Sequence, residues 1–288
     1  MSKENNRLEV IKNIKTYSEL GEFHNKVETN DPVLSQSESR EITDKYVRNR
    51  NKLSFRLKRD AATAIANAAT SVINRDTKII GLEKIPSDLK GAIITSNHFS
   101  PFENTVIRLL TRKLNKKLNI ISQTTNFAMS GIVGFLMNYA DTVPISSDPH
   151  YLARDLFSIL KEKIVEKGEA VLLYPEQEMW YNYRKPRPPK KGAYYYSSKL
   201  NVPVVSCFVE VIDTDKNLND NFNKVKYVLH ILGVLYPDLS LGAKGASEKL
   251  AEEDYNLKIK CYEKVYNKKL DYTFEPSDIA GFKGECFD

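Results

Sequence analysis

A chain of 288 residues with 41% apolar side chains is long enough for one large domain or two small ones and can supply a proper core, so a globular protein is expected. Forty-three Lys and Arg against 37 Asp and Glu leave a net charge of +6, which suits anionic lipid, phosphorylated substrates or nucleic acid equally and decides among none of them. The three cysteines, Cys207, Cys261 and Cys286, are far apart with no CxxC or His-rich spacing beside them, which predicts free thiols in a reducing compartment and no metal site.

The first ten residues contain no apolar signal core, and no later stretch approaches the roughly 20 apolar residues needed to cross a bilayer. A cytoplasmic protein that touches the membrane without spanning it is expected. Residues 1–45 are polar and read as a short helical or partly ordered extension that carries no chemistry, ahead of a single domain over residues 46–288. Residues 53–73 form an amphipathic helix with a basic leading end. In it Leu53, Phe55 and Leu57 sit among Lys52, Arg56, Lys58 and Arg59, a pattern suited to a membrane surface.

Short apolar runs at 77–81, 92–96, 118–122, 142–145, 170–174, 202–209 and 225–232 read as strands. Helices are expected at 101–113, 131–139, 149–167, 192–200 and 247–269. Strand and helix taking turns predicts an α/β fold, a mostly parallel sheet flanked by helices. There is no internal repeat, and the only biased segment is the basic, Pro-rich run at 184–191.

Asn97-His98-Phe99-Ser100-Pro101-Phe102-Glu103 follows a predicted strand directly and leads into a predicted helix. Open α/β sheets place their sites beyond the carboxyl ends of strands. A His there can take a proton from a hydroxyl if a carboxylate orients the ring and favours the imidazolium that forms. Ser100-Pro101-Phe102-Glu103 is also a well-formed capping box, so Glu103 has a structural reading beside the chemical one. His98 gains nothing from the cap.

These residues resemble the first block of the glycerolipid acyltransferase family, which includes the 1-acyl-glycerol-3-phosphate acyltransferases and is marked by a histidine and an acidic residue with four residues between them. The second block is similar to Ala140-Asp141-Thr142-Val143-Pro144-Ile145-Ser146, and the third to Leu173-Tyr174-Pro175-Glu176-Gln177. Lys190-Lys191-Gly192-Ala193 and Val202-Pro203-Val204-Val205 look like the run into the fourth. The resemblance covers roughly residues 77–235 in family order. It implies an O-acyltransferase of phospholipid biosynthesis, with His98 and Glu103 catalytic. No bound cofactor is implied; the donor would be acyl-acyl carrier protein or acyl-coenzyme A, and the acceptor a lysophospholipid or a related lipid.

Three departures bear on the acceptor. The acidic partner is Glu103 where the family usually has Asp, Ser146-Ser147 stand where it often has an Arg, and Gln177-Glu178-Met179 replace the usual Gly-Thr-Arg. Arg184, Lys185 and Arg187, following Trp180, Tyr181 and Tyr183, are candidate replacement cations. They would bind the acceptor together with Glu176, while the aromatic rings cover its apolar part. The same mixture of aromatic and basic residues suits single-stranded nucleic acid, but no RNA-binding fingerprint accompanies it and it leaves His98 unexplained, so no nucleic-acid partner is expected. Serine-hydrolase, dinucleotide and P-loop motifs do not occur. The rival class is a lipid- or membrane-binding protein that keeps the fold without turnover.

Overall fold

The computed structural model describes residues 3–29 and 32–284. In chain order the elements are α1 (Lys3–Glu19), α2 (Gln36–Asn49), α3 (Leu53–Ile73), β1 (Lys78–Ile80), β2 (Ala92–Thr95), α4 (Asn104–Lys113), β3 (Leu118–Gln123), α5 (Thr124–Phe127), α6 (Gly131–Tyr139) and β4 (Thr142–Ile145). After a helical run whose central turn is α7 (Phe157–Leu160), flanked by wider π-helical turns, come β5 (Ala170–Leu173), α8 (Gly192–Leu200), β6 (Val204–Asn217), β7 (Asn223–Leu235) and α9 (Gly242–Tyr266).

The strands form one seven-stranded sheet in the order β1-β7-β6-β2-β5-β3-β4. Every neighbouring pair is parallel except β6 and β7, which a short turn joins into a long antiparallel hairpin. All seven predicted strands are present. The inner strands β2 and β5 were legible because a parallel strand covered on both faces needs an unbroken apolar run. Alternate residues of β2 and β5 then go to opposite sides. Ile93 and Val171 join the core under α8 and the 151–166 helical run, whereas Ile94 and Leu172 join the core under α4.

Helix α4 departs from expectation, whereas the N-terminal extension takes the helical form of the two expected. Helix α4 begins at Asn104 rather than at 101, because residues 101–103 form a turn that brings the Glu103 carboxylate back over residues 98–100. The polar extension is ordered into α1 and α2. Val10, Ile11 and Ile14 lie on one face of α1 and, with Val27, are completely buried against Trp180, Tyr183 and Phe222. Helix α2 starts with a capping box, Ser35 and Glu38 each bonding the other's backbone N–H. Cys207 and Cys261 are free, buried thiols, and Cys286 lies outside the described residues.

Candidate active site

Strands β2 and β5 are parallel neighbours, with Thr95 opposite Leu173 at their carboxyl ends. Both chains therefore leave the sheet at the same edge, bringing together the 97–103 turn and the 174–178 turn although 78 residues separate His98 from Glu176. Asn97 anchors the first turn. Its buried side chain donates to the Val209 carbonyl at 3.0 Å and accepts from the Val209 N–H at 2.8 Å, bonding β6 as a strand backbone would.

The His98 ring stacks on Tyr174, with centroids 4.1 Å apart and planes 8° from parallel. Its side chain is 21% exposed, and Nδ1 bonds Oε1 of Glu103, which is 2% exposed. Oε2 of the same carboxylate accepts the N–H groups of Phe99 at 2.6 Å and Ser100 at 2.5 Å. The cap reading and the partner reading of Glu103 are thus satisfied by one carboxylate, one oxygen for each. Burial and the Glu103 charge raise the Tyr174 pKa well above its ordinary value, so the ring beneath His98 stays a neutral phenol. An imidazole whose Nδ1 is held by a carboxylate presents Nε2 as the nitrogen that can take a proton.

A second carboxylate fixes the backbone of the same turn. Glu176 accepts the His98 N–H at 3.1 Å, and Trp180 N–H bonds the His98 carbonyl at 3.0 Å. Glu176 is buried against Arg187, which donates to it through its backbone N–H at 3.0 Å and its side-chain Nη2 at 2.9 Å. Arg187 also reaches the carbonyls of Phe23, at 2.8 Å, and of Glu178, and lies over the Trp180 ring. Burial pulls the guanidinium pKa down while Glu176 opposes the shift. Gln177, at the position where the resembled block has Gly, adopts φ 67°, a left-handed conformation that disfavours side chains. Gln177→Gly is therefore expected to raise stability by about 1 kcal/mol, readable as a small increase in denaturation midpoint, with the turn otherwise unchanged.

The cations of the basic loop are paired within the fold. Lys185 is buried and paired with Asp278 at 2.7 Å, Arg184 bonds Asp213 at 2.5 Å, and Arg187 is committed to Glu176. Each positive charge expected to grip a phosphate is instead neutralised by a carboxylate from the fold. Trp180 and Tyr183, expected to cover a lipid, are packed on α1. Glu176 does lie beside His98, through the backbone. Asp141, in the second block, sits at the amino-terminal end of β4 and ties together Thr63, Arg108 and Lys117 at the opposite edge of the sheet. The sequence reading missed the 23–25 segment: Trp180 Nε1 donates to the Asn25 carbonyl at 3.0 Å, and His24 Nδ1 lies 3.4 Å from the Glu176 carbonyl. Nothing local could have signalled contacts across more than 150 residues.

Replacing Glu103 by Gln tests the two-sided carboxylate. The Gln carbonyl oxygen can still accept the Phe99 and Ser100 N–H groups, so the melting temperature should move little. Its amide donates to Nδ1 and pushes the ring proton onto Nε2, which can then no longer accept one. Turnover should fall about 100-fold or more. Parallel loss of stability and turnover would leave Glu103 as a cap alone.

Among the described residues no helix is long and apolar enough to cross a membrane, and no cluster of His, Cys, Asp and Glu could hold a metal ion. A comparison with curated proteins found no match. The fold resembles that of the 1-acyl-sn-glycerophosphate (LPA) acyltransferase PlsC from Thermotoga maritima, with a TM-score of 0.50 and 16% identity over 94% of this chain and 100% of that one. The Acyltransferase family model matches residues 76–210, a span that contains His98, Glu103, Asp141, Tyr174 and Glu176. The region that carries the motifs is thus similar to the Acyltransferase family, and the fold around it is similar to that of PlsC.

Proposed function

We propose that the protein transfers a fatty acyl group from an acyl thioester, on acyl carrier protein or coenzyme A, to a hydroxyl of a lysophospholipid or related acceptor. The observation that carries this reading is the partly exposed His98 ring, with Nδ1 held by a buried carboxylate that two backbone N–H groups keep in place. His98 Nε2 takes the acceptor proton as the oxygen attacks the thioester carbonyl carbon. Glu103 stabilises the imidazolium that forms. When the tetrahedral intermediate collapses, the C–S bond breaks and the thiolate leaves with that proton, so no covalent enzyme intermediate is needed. Glu176 and Arg187 act on this chemistry by fixing the backbone on either side of the ring. The experiment is to supply purified protein with acyl-coenzyme A or acyl-acyl carrier protein and a panel of lysolipids, and to measure free thiol and ester product together. Thiol release matched by ester is expected; ester formation with none of the acceptors would favour the lipid-binding reading.

Peripheral attachment to the inner face of the cell membrane is part of the proposal. On α3, Leu53 and Leu57 are 69% and 62% exposed, and Ile132 and Val133 are exposed on α6, which packs against α3. Phe55 turns inward instead, packing edge-on against Tyr46 and Tyr139. Two partly immersed leucines are worth about 2 kcal/mol together, so Leu53→Glu/Leu57→Glu should weaken binding to anionic vesicles about 30-fold in sedimentation. Wild-type binding should itself weaken with salt. Retention that is insensitive to salt and to both substitutions would refute this attachment.

A further inference from the structure

A cavity of about 480 Å³ opens far from His98, at the amino-terminal edge of β3, β4 and β5, where Asn119, Thr142 and Glu169 mark the strand starts. It shares no residue with the turns around His98. Six cationic side chains, Arg50, Arg56, Arg59, Lys117, Lys163 and Lys167, and three carboxylates line it, an excess of three positive charges.

The carboxylates are already shared. Glu162 serves both Arg50 and Lys167 at 2.5 Å each, and Asp141 serves both Arg108 and Lys117 at 3.3 Å each. Lys163 comes from the helical run behind the cavity and is 8% exposed, yet its carboxylate neighbour, Glu169, lies 3.4 Å away and is also held by Asn119. Burial and then the charges of Lys117 and Lys167 depress the Lys163 pKa against the pull of Glu169. A buried ammonium in a cationic cavity is stable only at a cost that a bound anion would remove. The space exceeds what a chloride needs and accommodates a phosphate with a small organic group. Arg supplies planar donor pairs and Lys point charges, the donor set that phosphate oxygens take. Tyr46, Phe55 and Tyr139 wall one side and separate the cavity from a second one of about 410 Å³ lined by Lys45, Lys52 and Lys58.

We propose that this cavity is a second ligand site, separate from the acyl-transfer centre, that binds a phosphomonoester anion. The phosphate can come from a soluble metabolite or from the headgroup of a lipid such as phosphatidic acid, since the exposed leucines of α3 lie on the same helix as Arg56 and Arg59. The proposal uses none of the residues assigned to catalysis, so it can fail or hold independently of the proposed reaction.

The test is calorimetric titration of the full chain with glycerol 3-phosphate, beside sedimentation with phosphatidylcholine vesicles with and without phosphatidic acid. Arg56→Gln/Arg59→Gln/Lys117→Gln removes rim charges. Lys216→Gln/Lys224→Gln/Lys226→Gln removes as many exposed charges from the distant β6–β7 hairpin and serves as the control. The rim variant should bind the phosphomonoester about 10-fold or more weakly, whereas the control and His98→Ala should bind as wild type does. Titration by glycerol 3-phosphate identifies a soluble source. Rim-dependent binding seen only with phosphatidic acid vesicles identifies a headgroup. Equal losses in the rim and hairpin variants, loss in His98→Ala with retention in the rim variant, or no binding of either probe by the wild type would each overturn the proposal.

Discussion

His98→Ala is expected to lower acyl transfer by about 100- to 10,000-fold, the usual cost of losing a general base. The fold should survive. The ring is a partly exposed group whose packing consists of one stack on Tyr174 and one bond to Glu103. Removing it leaves the Glu103 carboxylate with the Phe99 and Ser100 N–H groups, so no bare buried charge results. Circular dichroism and thermal melting should therefore stay close to wild type while ester formation collapses. Near-normal transfer by a well-folded His98→Ala protein would remove the base from the proposed mechanism. A variant that loses transfer and melts far below wild type would mean that the ring holds the turn together rather than handling a proton.

Arg187→Met carries the largest expected effect on stability. The guanidinium is 1% exposed and its partner Glu176 is 3% exposed, so the substitution leaves a buried carboxylate without its counter-charge. Breaking a buried pair from one side costs about 3–5 kcal/mol, which for a chain of this size lowers the melting temperature by roughly 10 °C. Transfer should be lost with it, because Glu176 holds the His98 N–H and Arg187 anchors the carbonyls of Phe23 and Glu178. The loss should be equal for phosphorylated and uncharged acceptors. Arg187 as a phosphate clamp would spare the uncharged acceptors, and a loss confined to phosphorylated ones at unchanged melting temperature would restore that role. Glu176→Gln/Arg187→Met removes both charges while keeping an oxygen for the His98 N–H. It should regain much of the stability lost by Arg187→Met alone, since the penalty comes from the unpaired charge.

The amino-acid sequence by itself determined those features whose cause is local or periodic. The strands were legible because β2 and β5 lie inside the sheet and need apolar residues on both faces. The 98–103 turn was legible because its histidine and carboxylate are close enough in the chain for one turn to join them. Only the tertiary structure decided what the charges do. Arg184, Lys185 and Arg187 look alike as a basic run, but their partners Asp213, Asp278 and Glu176 come from β6, the C-terminal segment and the 174–178 turn. A charge is visible in the sequence, whereas whether it is solvated or paired depends on which distant carboxylate folding brings beside it. The polar N-terminal stretch follows the same rule. Val10, Ile11 and Ile14 form too small an apolar face to stand out against the surrounding charge, and the face became core only because Trp180 and Tyr183, some 170 residues on, turn inward to meet it.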